Sequence, residues 1–108
     1  MDCKTKRIFE FGSFSIDTCE RTLSRDGARV PLTPKAYEIL LALVENSGHT
    51  LGKDELIERV WADTFVEVGN LNRNISTLRS VLGDDIHEPR FIKTMPKRGY
   101  RFEADVRE

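Results

Sequence analysis

The stretch from Val68 to Gly83, VGNLNRNISTLRSVLG, admits one regular conformation. Val68, Leu71, Ile75, Leu78 and Leu82 recur at three- and four-residue steps, the signature of an α-helix with one buried stripe. Advancing about 100° per residue from that stripe puts Arg73, Thr77 and Ser80 on the far side, with Asn70, Asn74 and Ser76 on the flanks. No carboxylate occurs between Gly69 and Leu82, although charged residues make up 32% of the chain. Solvated helix faces normally mix Glu with Lys, and Asn, Thr and Ser are mediocre helix formers, so helix propensity does not account for this face. Its hydrogen-bonding, uncharged-to-basic character suits a surface that lies in a nucleic-acid groove.

Charge is segregated around this helix. Arg90, Lys93, Lys97, Arg98 and Arg101 follow it with no anion between them, whereas Lys53 to Val68 sets Asp54, Glu55, Glu58, Asp63 and Glu67 against Lys53 and Arg59. The net charge of −1 and pI near 6.1 argue mildly against a nucleic-acid partner as a global test. Local field matters more than the sum for a docking surface, and here it favours one. The plain alternative is a solvated basic edge strand that blocks edge-to-edge pairing.

A chain of 108 residues makes one domain with a modest core, expected over about residues 7–104. The longest mostly apolar run, Ala36 to Val44, is broken by Glu38 and is far too short to cross a bilayer. No apolar signal core follows Met1 to Lys6, and a cytoplasmic location is expected. Cys3 and Cys19 lack metal-ligand spacing and read as free thiols. His49 and His87 lie in no nucleophile motif, and neither a glycine-rich phosphate loop nor a metal-ligand cluster is present, so no enzyme, cofactor or small-molecule substrate is expected. Asp84-Asp85 suggests a cation site on paper, but such a pair after a helix is usually solvated.

Along the chain, Ile8–Phe11 and Phe14–Ile16 alternate around Gly12-Ser13, and Thr22–Ser24 and Arg29–Leu32 flank Arg25-Asp26-Gly27, which predicts four short antiparallel strands. Thr33-Pro34 opens a helix with Ala36, Tyr37, Leu40, Leu41, Leu43 and Val44 inward, stopped by Gly48. His49-Thr50-Leu51 reads as a short extended link, and Lys53–Trp61 as a second helix with Leu56, Ile57, Val60 and Trp61 inward. Ala62–Glu67 connects to the third helix. Strands Arg90–Met95 and Gly99–Phe102 flank Pro96-Lys97-Arg98 and close the domain. Sheet, three helices and a terminal hairpin form an α+β layout, that of a winged helix-turn-helix.

The blocks LTPKAYEILLALVENSG, LGKDELIERVW, VEVGNLNRNISTLRSVLGDD and EPRFIKTMPKRGYRF resemble the OmpR/PhoB-type winged-helix DNA-binding domain of bacterial transcription regulators, from about Phe9 to Phe102. The resemblance implies sequence-specific binding of double-stranded DNA for transcription regulation, with the third helix as recognition helix and the hairpin as wing. By position it implies groove-facing Arg73, Asn74 and Thr77, Asn70 at the helix start, Ser80 further along, and Arg79 near the phosphate backbone. It puts Lys97, Arg98 and Arg101 on a wing that reaches the minor groove or its phosphates. Lys53 and Trp61 are implied phosphate contacts; Trp61 reads equally as packing between the second and third helices. In such regulators the 62–67 connection can meet RNA polymerase, which brings in Asp63, Phe65 and Glu67. The competing reading, a solvated turn with Phe65 tucked into the core, is the plainer one. Gly52 stands where a Ser or Thr cap is expected, and Thr77 and Ser80 stand where many relatives carry Arg or Lys, which lowers the expected phosphate affinity.

The rival function is a winged-helix protein-interaction module without DNA binding, whose recognition face is expected to be apolar or acidic. Arg73 suits guanine O6 and N7, and Asn70 or Asn74 suits adenine N6 and N7, which favours DNA. In two-component phosphorelay regulators a receiver domain comes first. The early start here looks more like membrane-tethered regulators of the CadC/ToxR kind, and the chain reads as a fragment of a longer regulator that pairs in tandem on repeated half-sites.

Overall fold

The computed structural model describes residues 7–62, 64–84 and 90–108. Strands β1 (Ile8–Phe11), β2 (Phe14–Asp17), β3 (Thr22–Arg25) and β4 (Ala28–Val30) pair in chain order as an antiparallel meander. Its register aligns Phe9 with Ile16, Ile16 with Leu23 and Leu23 with Val30, so one apolar row crosses all four strands on the core side. Asp26 and Gly27, at φ +51° and +84°, turn β3 into β4, the double left-handed geometry that suits a two-residue hairpin. That two-residue turn starts β4 at Ala28, one residue earlier than expected, and the strand ends at Val30, two residues short of Leu32.

Helix α1 (Pro34–Glu45) starts as its sequence predicts: the Thr33 hydroxyl accepts the Ala36 N–H at 3.2 Å and Pro34 takes the first turn. Ile39 and Ala42 are fully buried beside the expected core residues, while Leu41 is only half-buried. The helix is enclosed from several sides, so a single-stripe reading misplaces its margins. Asn46 ends it, its side-chain amide donating to the Ala42 carbonyl at 2.8 Å.

Thr50–Gly52 is a strand, β5, rather than a mere link. It pairs with β7 (Gly99–Phe102), which lies between β5 and β6 (Ile92–Met95) in a second antiparallel sheet. Between these elements run α2 (Lys53–Val60) and α3 (Val68–Leu82). Gly52 caps α2 without a side chain, and the Glu55 carboxylate compensates by accepting the Gly52 N–H at 3.1 Å. The two sheets meet through an aromatic seam: Phe11 and Phe102 are 5.0 Å apart and edge-to-face, Phe14 and Phe91 5.6 Å. Beyond Ala104 the chain returns to β1, where Glu10 and Arg107 exchange backbone hydrogen bonds of 2.6 and 2.8 Å, and Arg7 pairs with Glu108 at 2.6 Å. That ion pair holds the Glu108 carboxyl below its usual range.

Gly99 is where β7 presses hardest on β5. Its φ is +152°, and a Cβ there would sit 1.9 Å from the Leu51 carbonyl oxygen. Gly99→Ala is expected to destabilise the domain by about 2–3 kcal/mol, through overpacking and backbone strain together. Urea unfolding checks this, and an unchanged midpoint would mean that the strands separate freely.

Candidate nucleic-acid interface

Leu71, Ile75, Leu78 and Leu82 of α3 are buried in the core, which turns the opposite side of the helix to solvent. Asn70, Arg73, Thr77 and Ser80 are exposed, as is Asn72. Val68, expected in the buried stripe, is 41% exposed, because the helix begins beyond the edge of the core. The helix ends at Gly83, whose φ of +71° allows its N–H to reach the Ser80 carbonyl and the Asp84 N–H that of Arg79 at 2.8 Å.

The exposed side chains are not equally free. The Asn74 amide, half-buried, donates to the Asn70 carbonyl at 2.8 Å, and the Thr77 hydroxyl donates to the Arg73 carbonyl at 3.1 Å. Both are held against their own helix, so Asn74 has one N–H and its oxygen left, and Thr77 offers its methyl and oxygen lone pairs. Arg73 forms no ion pair among the described residues, and its guanidinium keeps its full donor fork.

The wing tip is a tight turn in which Pro96 leads and the Arg98 N–H reaches the Met95 carbonyl at 2.9 Å. Lys97 occupies the left-handed corner at φ +62°, a position that favours glycine. Lys97 and Arg98 are exposed and unpaired among the described residues. They line a crevice of about 480 Å³ together with Gly52, Lys53, Asp54, Glu55 and Val68. The wing tip, the start of α2 and the start of α3 therefore front one side of the molecule.

Two expected contacts sit elsewhere. Arg101 lies on β7 beside Tyr100, and neighbouring strand residues face opposite ways. Tyr100 and its β6 partner Thr94 face α3, whereas Arg101 and its partner Lys93 face away. Arg101 clasps Glu103 through two hydrogen bonds of 2.8 and 3.0 Å, which lowers the Glu103 pKa, and Lys93 lies 3.8 Å from the same carboxylate. Arg79 is half-buried. Its guanidinium donates to the Thr94 hydroxyl at 2.6 Å and to the Ile92 carbonyl at 3.2 and 3.4 Å, and lies 5.9 Å from the Tyr100 ring centre. Burial raises the Tyr100 pKa, opposed by the Arg79 charge, and its hydroxyl donates to Asn72 at 2.7 Å.

Asn72, Thr94 and Tyr100 carry no mark in the sequence beyond the seven-residue spacing of Asn72 and Arg79, which places both on one face of α3. Asp84 is no solvated carboxylate: it accepts the N–H groups of Arg90, Phe91 and Ile92 at 2.6, 3.3 and 2.9 Å and so closes the path from α3 into the wing. Asp85 and His87 lie outside the described residues.

Behind the helix start, Trp61 is half-buried against the core, with Lys35 Nζ 5.9 Å from its ring centre. Phe65 is 90% exposed, contrary to its expected place in the core. Trp61, Phe65, Ile57 and Val68 line a crevice of about 550 Å³ whose rim carries Asp54, Glu58 and Glu67. Asp63 lies outside the described residues.

The family described as "Transcriptional regulatory protein, C terminal" matches residues 27–102. The chain belongs to this OmpR/PhoB-type family. The transcriptional regulatory protein KdpE of Mycobacterium tuberculosis is 36% identical over 98 residues, covering 90% of this chain and 43% of that protein. The transcriptional activator CadC of Escherichia coli is 33% identical over 100 residues, 92% of this chain and 20% of CadC. The chain thus spans less than half the length of these relatives. The fold is that of the Klebsiella pneumoniae RstA DNA-binding domain, solved in complex with the RstA box: TM-score 0.80, 29% identity, 90% of this chain and 97% of that one. No helix among the described residues is long and apolar enough to cross a membrane.

The left-handed Lys97 gives a test of the wing geometry that is separate from binding. Relief of its strain, less the entropy that glycine loses on folding, should make Lys97→Gly more stable by roughly 0.5–1 kcal/mol. Lys97→Ala should bring no such gain. Thermal unfolding of the two variants distinguishes a strained corner from a relaxed one.

Proposed function

We propose that this chain binds double-stranded DNA sequence-specifically and so regulates transcription, with α3 in the major groove and the Pro96–Arg98 tip on the minor groove or its phosphates. One observation carries the reading: the carboxylate-free face of α3 is exposed, and the wing-tip cations, unpaired among the described residues, share a crevice with the helix's first residue. Membership of a transcriptional regulatory family supports it. Arg73 is the guanine reader, forking to O6 and N7, and Asn70 and Asn74 pair with adenine, Asn70 with the freer amide. Thr77 and Ser80 add short contacts to the groove wall. Lys53, Lys97 and Arg98 neutralise phosphates, which makes binding salt-dependent. Trp61 supports this surface from behind. Arg101, turned to the other face of the wing and held by Glu103, takes a lesser part.

The reading takes the domain as cytoplasmic, with its DNA partner, and as one module of a longer regulator, which the greater length of its relatives supports. Two copies follow each other on half-sites about one helical turn apart. Arg73→Ala should weaken binding to the selected site by about 1–3 kcal/mol and relax one base position. Lys97→Ala should weaken all sequences evenly and lower the salt slope by about 0.9. Fluorescence anisotropy on cognate and scrambled duplexes over a salt series reads both effects, and interchange of the two patterns would refute the roles.

A second surface has its own observation. Phe65, 90% exposed beside an acidic-rimmed crevice, suits a protein contact, and RNA polymerase is the partner the reading takes. Phe65→Ala should leave DNA affinity unchanged and lower activation in a reporter strain. Full activation by the variant would dismiss the contact.

A further inference from the structure

The wing is joined to the recognition helix by a polar seam. Asn72 and Arg79 stand two turns apart on α3, and β6 and β7 lay Thr94 and Tyr100 against them. Tyr100 donates to Asn72 at 2.7 Å. Arg79 forks onto the Thr94 hydroxyl and the Ile92 carbonyl while stacking toward the Tyr100 ring. A hydrophobic seam tolerates sliding, but a forked guanidinium and a short hydroxyl bond fix distance and angle.

We infer that Asn72, Arg79, Thr94 and Tyr100 form a bracket that sets the wing against the recognition helix, so that groove and phosphate contacts are made together. Arg79 is a positioning residue whose guanidinium is engaged by the protein's own wing, not by a phosphate. The inference rests on the DNA-binding reading above. It goes further, in that the benefit of Lys97 depends on a residue that does not touch DNA.

Three Arg79 variants separate the possibilities by anisotropy on the selected duplex over a salt series, with thermal unfolding as the folding check. Arg79→Gln should weaken binding on the order of tenfold and lower the salt slope, because the loosened wing gives up its own phosphate contacts. Arg79→Lys keeps the charge but not the fork, and should behave like Arg79→Gln. In the Arg79→Gln background, Lys97→Ala should cost clearly less than in the parent, because a loosened wing no longer delivers its lysine in register. Arg79→Lys close to the parent in both affinity and slope would make Arg79 a phosphate contact and overturn the bracket. An undiminished Lys97→Ala cost would overturn it too. If the Arg79 variants unfold, Tyr100→Phe and Thr94→Val carry the same test. Each should reduce the Lys97→Ala cost, and no reduction refutes the inference. Failure of the parent to prefer its selected duplex would instead defeat the DNA-binding reading itself.

Discussion

Everything on the outer side of α3 follows from the burial of four of its side chains. Leu71, Ile75, Leu78 and Leu82 are buried in the core, where α3 packs on α1 and α2, and each contributes about 1.5–3 kcal/mol by leaving water. Their sum, roughly 6–12 kcal/mol, is comparable to the whole stability of a small domain, so the helix cannot rotate about its axis and stay folded. A fixed rotation fixes which residues face out. Arg73 and Thr77 are presented to solvent because their neighbours at the right spacing cannot be.

The second sheet builds on that anchored helix. Phe91 and Phe102 tie it to the N-terminal meander through Phe14 and Phe11, Gly99 lets β7 close on β5, and Asp84 gathers three backbone N–H groups where α3 gives way to the wing. The apolar contacts hold the wing on the molecule, while the hydrogen bonds of Arg79 and Tyr100 orient it. Two cation pairs then differ in use. Lys97 and Arg98 stay unpaired among the described residues, while Lys93 and Arg101 converge on Glu103 on the reverse face. Four of the five cations in this run thus divide into an outward-reaching pair and a pair that shares one carboxylate.

The bounds of α3 were legible in the sequence because apolar period, missing carboxylates and Gly83 all mark the same limits. The hairpin was legible because Pro96 and Gly99 punctuate it. β5 was not, since three residues are too few for an alternating pattern and its strand character comes from pairing with a partner 47 or more residues on. Phe65 misled for a different reason. Residue type favours burial, but a side chain on a short connection need not reach the core, and Phe65 is 90% exposed. The Asn72–Tyr100 bond joins positions 28 apart, and such a contact leaves no periodic trace. Arg79 shows the limit of positional resemblance: the residue type matches, and its guanidinium is turned inward by a threonine and a carbonyl that only the fold brings near.

The central claim is that the outer face of α3 reads base edges in the major groove. Methylation interference on a selected duplex tests it most directly, because a methyl group on guanine N7 blocks the acceptor an Arg73 fork requires. Loss of binding when one guanine in each half-site is methylated is the expected result. Binding indifferent to every guanine N7 methyl, yet still sequence-selective, would contradict it and move recognition to another surface of the domain.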